Sequence, residues 1–298
     1  MEEPLESLPN IRQEHAVVAA AGKIYVITGY EAVGGGGLTV TNSVMAYDPA
    51  SDSWTEVADF PVPMNHGNAG VVNDKIYVAG FYVNGMTEAT AQVFEYDPST
   101  DDWTEKQAMP AGTERGAGCV AVHEGSMYVV GGARNGGSVA TVTRYDAAAN
   151  TWETLPDLPE QREHCVAGAI DGVLYVAGGR EDSITNIQDT TWAFDVTGNE
   201  WVEKVPLMPS RGGLAGAVLG GRLIVFGGEG NPMSGTNGIF DSIDAYEPTS
   251  NSWEKLGVMD IPRHGYGAGV LNGKIYLPGG ATRQGGAASA NVSVLYFE

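Results

Sequence analysis

Residues 127–152, MYVVGGARNGGSVATVTRYDAAANTW, carry the plan of the whole chain. A β-branched and aromatic run closes on Gly131-Gly132, a loop follows, a second apolar run ends in Tyr145-Asp146, and Trp152 stands six residues after the acid. Short apolar runs bounded by glycine read as buried strands. An acid followed by small residues reads as a tight turn.

The same order recurs along the chain. Second strands lie at Lys23 to Gly29, Lys75 to Gly80, Leu174 to Gly179, Leu223 to Gly228 and Lys274 to Gly280. Third strands end in Tyr47-Asp48, Tyr96-Asp97, Phe194-Asp195, Tyr246-Glu247 and Phe297-Glu298. Trp54, Trp103, Trp152, Trp201 and Trp253 follow one another at intervals of 49, 49, 49 and 52 residues. A period near 50 marks a repeat architecture in which each unit is one sheet that cannot bury its faces alone.

Diglycine, Tyr-Asp and Trp at fixed offsets resemble the kelch family over essentially the whole length. That resemblance implies an all-β fold, a six-bladed kelch β-propeller with four antiparallel strands per blade. The expected blades span about 15–57, 66–106, 115–155, 164–204, 212–256 and 264–298, within a single domain over residues 1–298. The sixth unit stops before its Trp strand, whereas Leu5-Glu6-Ser7-Leu8-Pro9 matches Trp152-Glu153-Thr154-Leu155-Pro156. The N-terminal strand, with Leu5 in the Trp place, is therefore expected to complete the last blade and hide the sheet edges a linear stack exposes.

The net charge of −21 excludes nucleic acid and anionic membranes as general partners. No transmembrane stretch or basic leader is read, so a cytoplasmic location and a monomer are expected, with secretion after leader removal left open. Cys119 and Cys165, at nearly matching places in the innermost strands of blades three and four, read as small buried apolar residues, with a disulfide between them as the alternative. Asn291-Val292-Ser293 reads as an incidental glycosylation triplet inside a strand.

Charge is sorted by loop. Arg12, Arg115, Arg162, Arg211 and Arg263 fall on the connections that open each blade, and Arg134, Arg180 and Arg283 on the loops after the diglycines. The two loop sets are expected on one face, where planar guanidinium forks suit carboxylate or phosphate. The alternative is that arginine here simply fixes the loop, as in the kelch pattern.

Histidines recur as well: His15, His66, His164 and His264 lie ten to twelve residues before Tyr25, Tyr77, Tyr175 and Tyr276. They are expected around the mouth of the central channel with Glu14, Asn65, Asn68, Glu114, Glu163 and Tyr266, below Tyr30-Glu31, Phe81-Tyr82, Arg180-Glu181 and Glu229. Three readings stand: a structural ring bonding backbone, a metal site drawn from His15, His66, His164 and His264, and acid–base chemistry by His164 or His264 with Glu229 or Glu31.

The resemblance also excludes. Kelch-like copper radical oxidases need a Cys–Tyr cross-link, plant specifier proteins an iron motif absent here, and the sialic acid mutarotases offer no residues close enough to transfer. The reading is a recognition module binding an acidic peptide or small anionic metabolite at an Arg/His-rich mouth, through Arg12, His15, His66, Arg115, Arg162, His164, Arg211, Arg263 and His264. It needs no cofactor. The alternative is an isomerase, mutarotase, lyase or cyclase acting in the same mouth. The segments Glu31 to Asn42 and Glu229 to Asp241 are read as lid-like loops.

Overall fold

A computed structural model describes residues 1–33, 37–86 and 88–297. They form six four-stranded antiparallel sheets and three small ribbons, without a helix. Among the described residues no helix is therefore long and apolar enough to cross a membrane.

Blade three shows the unit: Cys119–His123 innermost, then Ser126–Val130, Val142–Asp146 and Thr151–Leu155 outermost. Inner strands are rich in alanine, glycine and valine because they crowd one axis. A β-carbon on Gly216 would lie 2.8 Å from Val166 of the preceding blade, so bulk here would push blades apart. Inner strands meet their neighbours in chain order, and Gly269–Leu271 of the last sheet meets Ala16–Ala20 of the first, which closes the propeller.

Closure differs in register from the sequence reading. The strand Glu2–Pro4 pairs with Val292–Leu295 and completes the last sheet, with Glu2 opposite Leu295. In the other sheets the residue in the place of Leu295 is Tyr47, Tyr96, Tyr145, Phe194 or Tyr246, each opposite its Trp. Glu2, not Leu5, thus holds the Trp place, and Leu295, not Phe297, the Tyr place. Leu5 is one residue past the strand, where its N–H donates to Val292 O. Glu298 lies outside the described residues.

Tryptophans join blades rather than fill a blade's core. Trp54, Trp103, Trp152, Trp201 and Trp253 are half-buried, and each Nε1–H donates to a carbonyl of the preceding unit: Glu6, Ala58, Gln107, Pro156 and Val205. The Tyr-Asp turns add a second tie. Tyr96 donates to Asp101 at 2.7 Å, and the same carboxylate oxygen accepts Ala58 N–H from blade one.

Cys119 and Cys165 are buried as read, but they take the alternative of a disulfide. They open the inner strands of blades three and four with Cα atoms 5.4 Å apart and are joined as a disulfide. Adjacent inner strands are close enough to bring nearly matching positions of two repeats, nine and ten residues before Tyr128 and Tyr175, into bonding range.

Candidate ligand-binding site at the channel mouth

One residue from every blade forms a ring at the top of the channel. The N–H of Glu14 donates to Gly265 O (2.7 Å), His66 to Glu14 O (3.0 Å), Ala117 to His66 O, His164 to Ala117 O, Gly213 to His164 O and Gly265 to Gly213 O (each 2.9 Å). All six residues are left-handed, with φ of 53° at Glu14, His66 and His164, 55° at Ala117, 63° at Gly213 and 62° at Gly265. Residues other than glycine are strained there by about 1–2 kcal/mol. Two glycines relieve the ring, while Glu14, His66 and His164 keep the strain and turn their side chains inward, a pattern that accompanies functional sites.

These side chains converge. Glu14 Oε2 lies 3.2 Å from His66 Nε2 and 3.7 Å from His164 Nε2. Asn65 Oδ1 stands 2.5 Å from His66 Nδ1, and because an amide oxygen only accepts, the Nδ1 proton points to it. Tyr30 and Tyr82 flank the His66 ring edge-on. Beside this cluster Arg180 donates through Nε to Glu163 (2.9 Å) and through Nη1 to Glu229. Glu229 also accepts Gly285 N–H at 3.0 Å and lies 3.5 Å from His264 Nδ1, whose Nε2 is 3.0 Å from Arg283 O.

Burial and neighbours set the charges. Burial raises the Glu14 carboxyl, but His66 and His164 outweigh it and hold the group well below its ordinary range. Burial and Arg180 push His164 down, yet Glu14 and Glu163 carry it up to about 9. Glu163, against burial, is brought down to about 2 by His164 and Arg180. Burial lowers Arg180, and Glu163 and Glu229 more than restore it. The floor is a network of charges on residues that are nearly all buried.

The arginines assigned to ligand binding lie elsewhere. Arg12, Arg115, Arg162, Arg211 and Arg263 are at most 2 % exposed and sit in the blades, not the mouth. Arg115 donates to Gly131 O, Thr113 O and Val129 O. Arg263 donates to Leu277 O, Gly279 O and Asn291 O. Arg162 bonds Gly178 O and Glu160, Arg211 bonds Asp244, and Arg12 bonds Thr28 O and Glu31. A guanidinium carries five donors, enough for one side chain to meet several backbone carbonyls around the diglycine strand ends at once. Blade two has Met64 in this place, and Asn68 takes over, donating to Ala79 O, Gly80 O and Arg115 O.

Other expected members also part from the mouth. His15 turns into the seam with blade six, 2.9 Å from Pro278 O, and burial with Arg12 brings it down to about 3. Glu31 is held at 3.2 Å by Arg12, and Tyr266 is buried with its hydroxyl toward Phe226 O. His66, His164, His264, Glu163, Arg180 and Glu229 do come together. The ring position lies eleven residues before the strand aromatic, an offset met by Glu14, His66 and His164; His15, at ten, follows the ring residue and turns into the blade seam, whereas His264, at twelve like Glu163, precedes it and lines the mouth.

The floor opens into a cavity of about 470 Å³ lined also by Leu38, Met86, Asp182 and Ile184, which sequence reasoning missed. Leu38 and Met86 are 43 % and 42 % exposed at its rim. Of the two lid-like segments, Gly37–Val40 pairs back onto Tyr30–Val33, with 34–36 outside the described residues. In the other, Ile239 bridges to Glu229. A second cavity, about 430 Å³, continues along the axis between the inner strands.

Known proteins share this architecture. Residues 68–280 match the family model described as the KLHDC2/KLHL20/DRC7 Kelch-repeats domain, and residues 11–61 match the Kelch motif. The chain is 34 % identical over 92 % of its length to Kelch-like protein terF of Aspergillus terreus, and 25 % identical over 80 % to Kelch-like protein 38 of Homo sapiens. It spans 64 % and 40 % of those relatives' lengths. The solved structure of YjhT superposes with a TM-score of 0.79 over 99 % of this chain and 97 % of that one, at 18 % identity, a likeness of fold alone. With the repeat, the six sheets and the family match in agreement, the chain belongs to the kelch-repeat family.

Proposed function

We propose that the protein is a kelch-type recognition module that takes its ligand in the channel mouth. The observation that supports this reading is the layered cavity: a largely buried polar floor of Glu14, Glu163, Glu229, His66, His264 and Arg180 beneath an apolar rim of Leu38, Met86 and Ile184. Such a combination suits a partner side chain whose polar end enters and whose stem packs on the rim.

The charges lining the mouth suggest the sign of the ligand. An anionic ligand was expected because of arginines that are now placed in the blades. Arg180 and His164, the cations of the mouth, already face carboxylates: Arg180 bonds Glu163 and Glu229, and His164 lies beside Glu14 and Glu163. Glu14, Glu163, Asp182 and Glu229 outnumber these two, so the mouth favours a cationic or hydrogen-bond-donating group, such as a lysine or arginine side chain of a protein segment. The family match supports recognition and lends nothing to the isomerase or lyase reading.

The test is a peptide panel differing only in the charge of one central residue, measured by calorimetry against wild type and Glu229→Gln. Binding of basic peptides that weakens at least tenfold in the variant supports the reading. Preference for acidic peptides, or equal binding by both proteins, overturns it.

A further inference from the structure

We infer that Glu14, His66 and His164 form a binding site for one divalent transition-metal ion at the base of the mouth. The site goes beyond the recognition reading and does not depend on it. One carboxylate oxygen and two imidazole nitrogens, one from each side chain, lie within 4.8 Å of one another. Ligands about 2.0–2.1 Å from a tetrahedral zinc ion stand about 3.3 Å apart. The 3.2 Å and 3.7 Å separations of Glu14 Oε2 from the two Nε2 atoms match that edge length.

Two further features fit an ion. Asn65 fixes the His66 ring through Nδ1, which leaves Nε2 directed at Glu14, the outer contact that orients a metal-binding imidazole. Tyr30 and Tyr82 hold the same ring from the side. The other three ring positions are Ala117, Gly213 and Gly265, too small to supply a fourth ligand. The remaining coordination positions are thus left to water or a bound group.

Arg180 opposes the ion. Its Nη2 stands 3.2 Å from His164 Nε2, so metal binding requires the guanidinium to withdraw onto Glu163 and Glu229, which already hold its Nε and Nη1. Removing the arginine should therefore tighten the site, an effect a merely structural cluster would not produce. Imidazole and carboxylate together suit zinc, cobalt and iron rather than calcium or magnesium.

The experiment titrates the full chain, stripped with a chelator and dialysed, with Co2+ and with Zn2+ alone. We expect one ion per chain, a visible Co2+ band typical of four or five ligands, at least tenfold weaker binding in His66→Ala and His164→Ala, and tighter binding in Arg180→Gln. His123→Ala, outside the mouth, should bind as wild type does. Absence of stoichiometric binding to the folded wild type overturns the site, whether or not the variants fold. So does binding that His66→Ala and His164→Ala leave unchanged. Peptide binding by the chelated protein is a separate readout, so failure here and failure of the recognition reading are distinguishable.

Discussion

Gly265 makes room for Glu14: a β-carbon on Gly265 would stand 2.5 Å from Glu14 Oε1 and 2.9 Å from its Cδ. The equivalent atom on Gly213 would meet Glu229 Oε1 and His264 Nδ1 only at 3.4 Å. Both glycines are left-handed, as Ala117 is at the same ring position, so alanine is compatible with the backbone at a cost of about 1–2 kcal/mol. Gly265→Ala should fold yet displace the Glu14 carboxylate and weaken ligand binding at the mouth, while Gly213→Ala binds nearly normally. Calorimetry on the two variants checks this; equal losses would mean that Glu14 is not placed by that gap.

The buried arginines are expected to hold the fold. Arg115→Ala leaves the carbonyls of Gly131, Thr113 and Val129 without their donor in a place closed to water. We expect a loss of about 3 kcal/mol or more in urea unfolding. An Arg115→Ala protein as stable as wild type, with altered ligand binding, would return this arginine to the ligand.

Closure by the N-terminal strand gives a third expectation. Deleting residues 1–9 removes the partner of Val292–Leu295, the buried Leu8 and the Glu6 carbonyl that accepts Trp54 Nε1–H. The bared edge should lower the melting temperature and bring concentration-dependent association in size-exclusion chromatography. A truncated chain that stays monomeric and equally stable contradicts the shared sheet.

Glu95 gives a pH dependence away from the mouth. It accepts from Tyr77 at 2.7 Å and pairs with Lys75 and Lys106 at 3.1 and 3.0 Å, and these partners, against burial, hold its carboxyl below the ordinary 4.5. A folded value below the unfolded one means that the contribution is full above pH 4.5 and lost as pH falls through the folded value. Glu95→Gln should cost about 1–2 kcal/mol at pH 7 and flatten the acid limb of the stability curve. Parallel acid limbs for the two proteins would contradict it.

The repeat made the fold legible, because diglycine, Tyr-Asp and Trp each serve one geometric purpose in every blade. The closing strand was found but misplaced by three residues: Leu5 resembles Trp152 in the sequence, yet pairing is set by backbone register, which puts Glu2 opposite Leu295. The arginines show why loop position does not decide direction. Arg162 is on a mouth-side connection, but three blade acceptors, Gly178 O, Thr190 O and Glu160, draw its guanidinium inward. Glu14, His66 and His164 were legible only at the finer offset of eleven, since His15 and His264 belong to the same repeat segment but not to the ring.

On the proposed reading, His66, His164 and His264 all face one ligand site. Proton–carbon correlation spectra of the five histidine rings during titration with a bound peptide test it most directly. The signals of His66, His164 and His264 should shift together on binding while His123 stays fixed. A peptide that binds and leaves those three signals unmoved would contradict it.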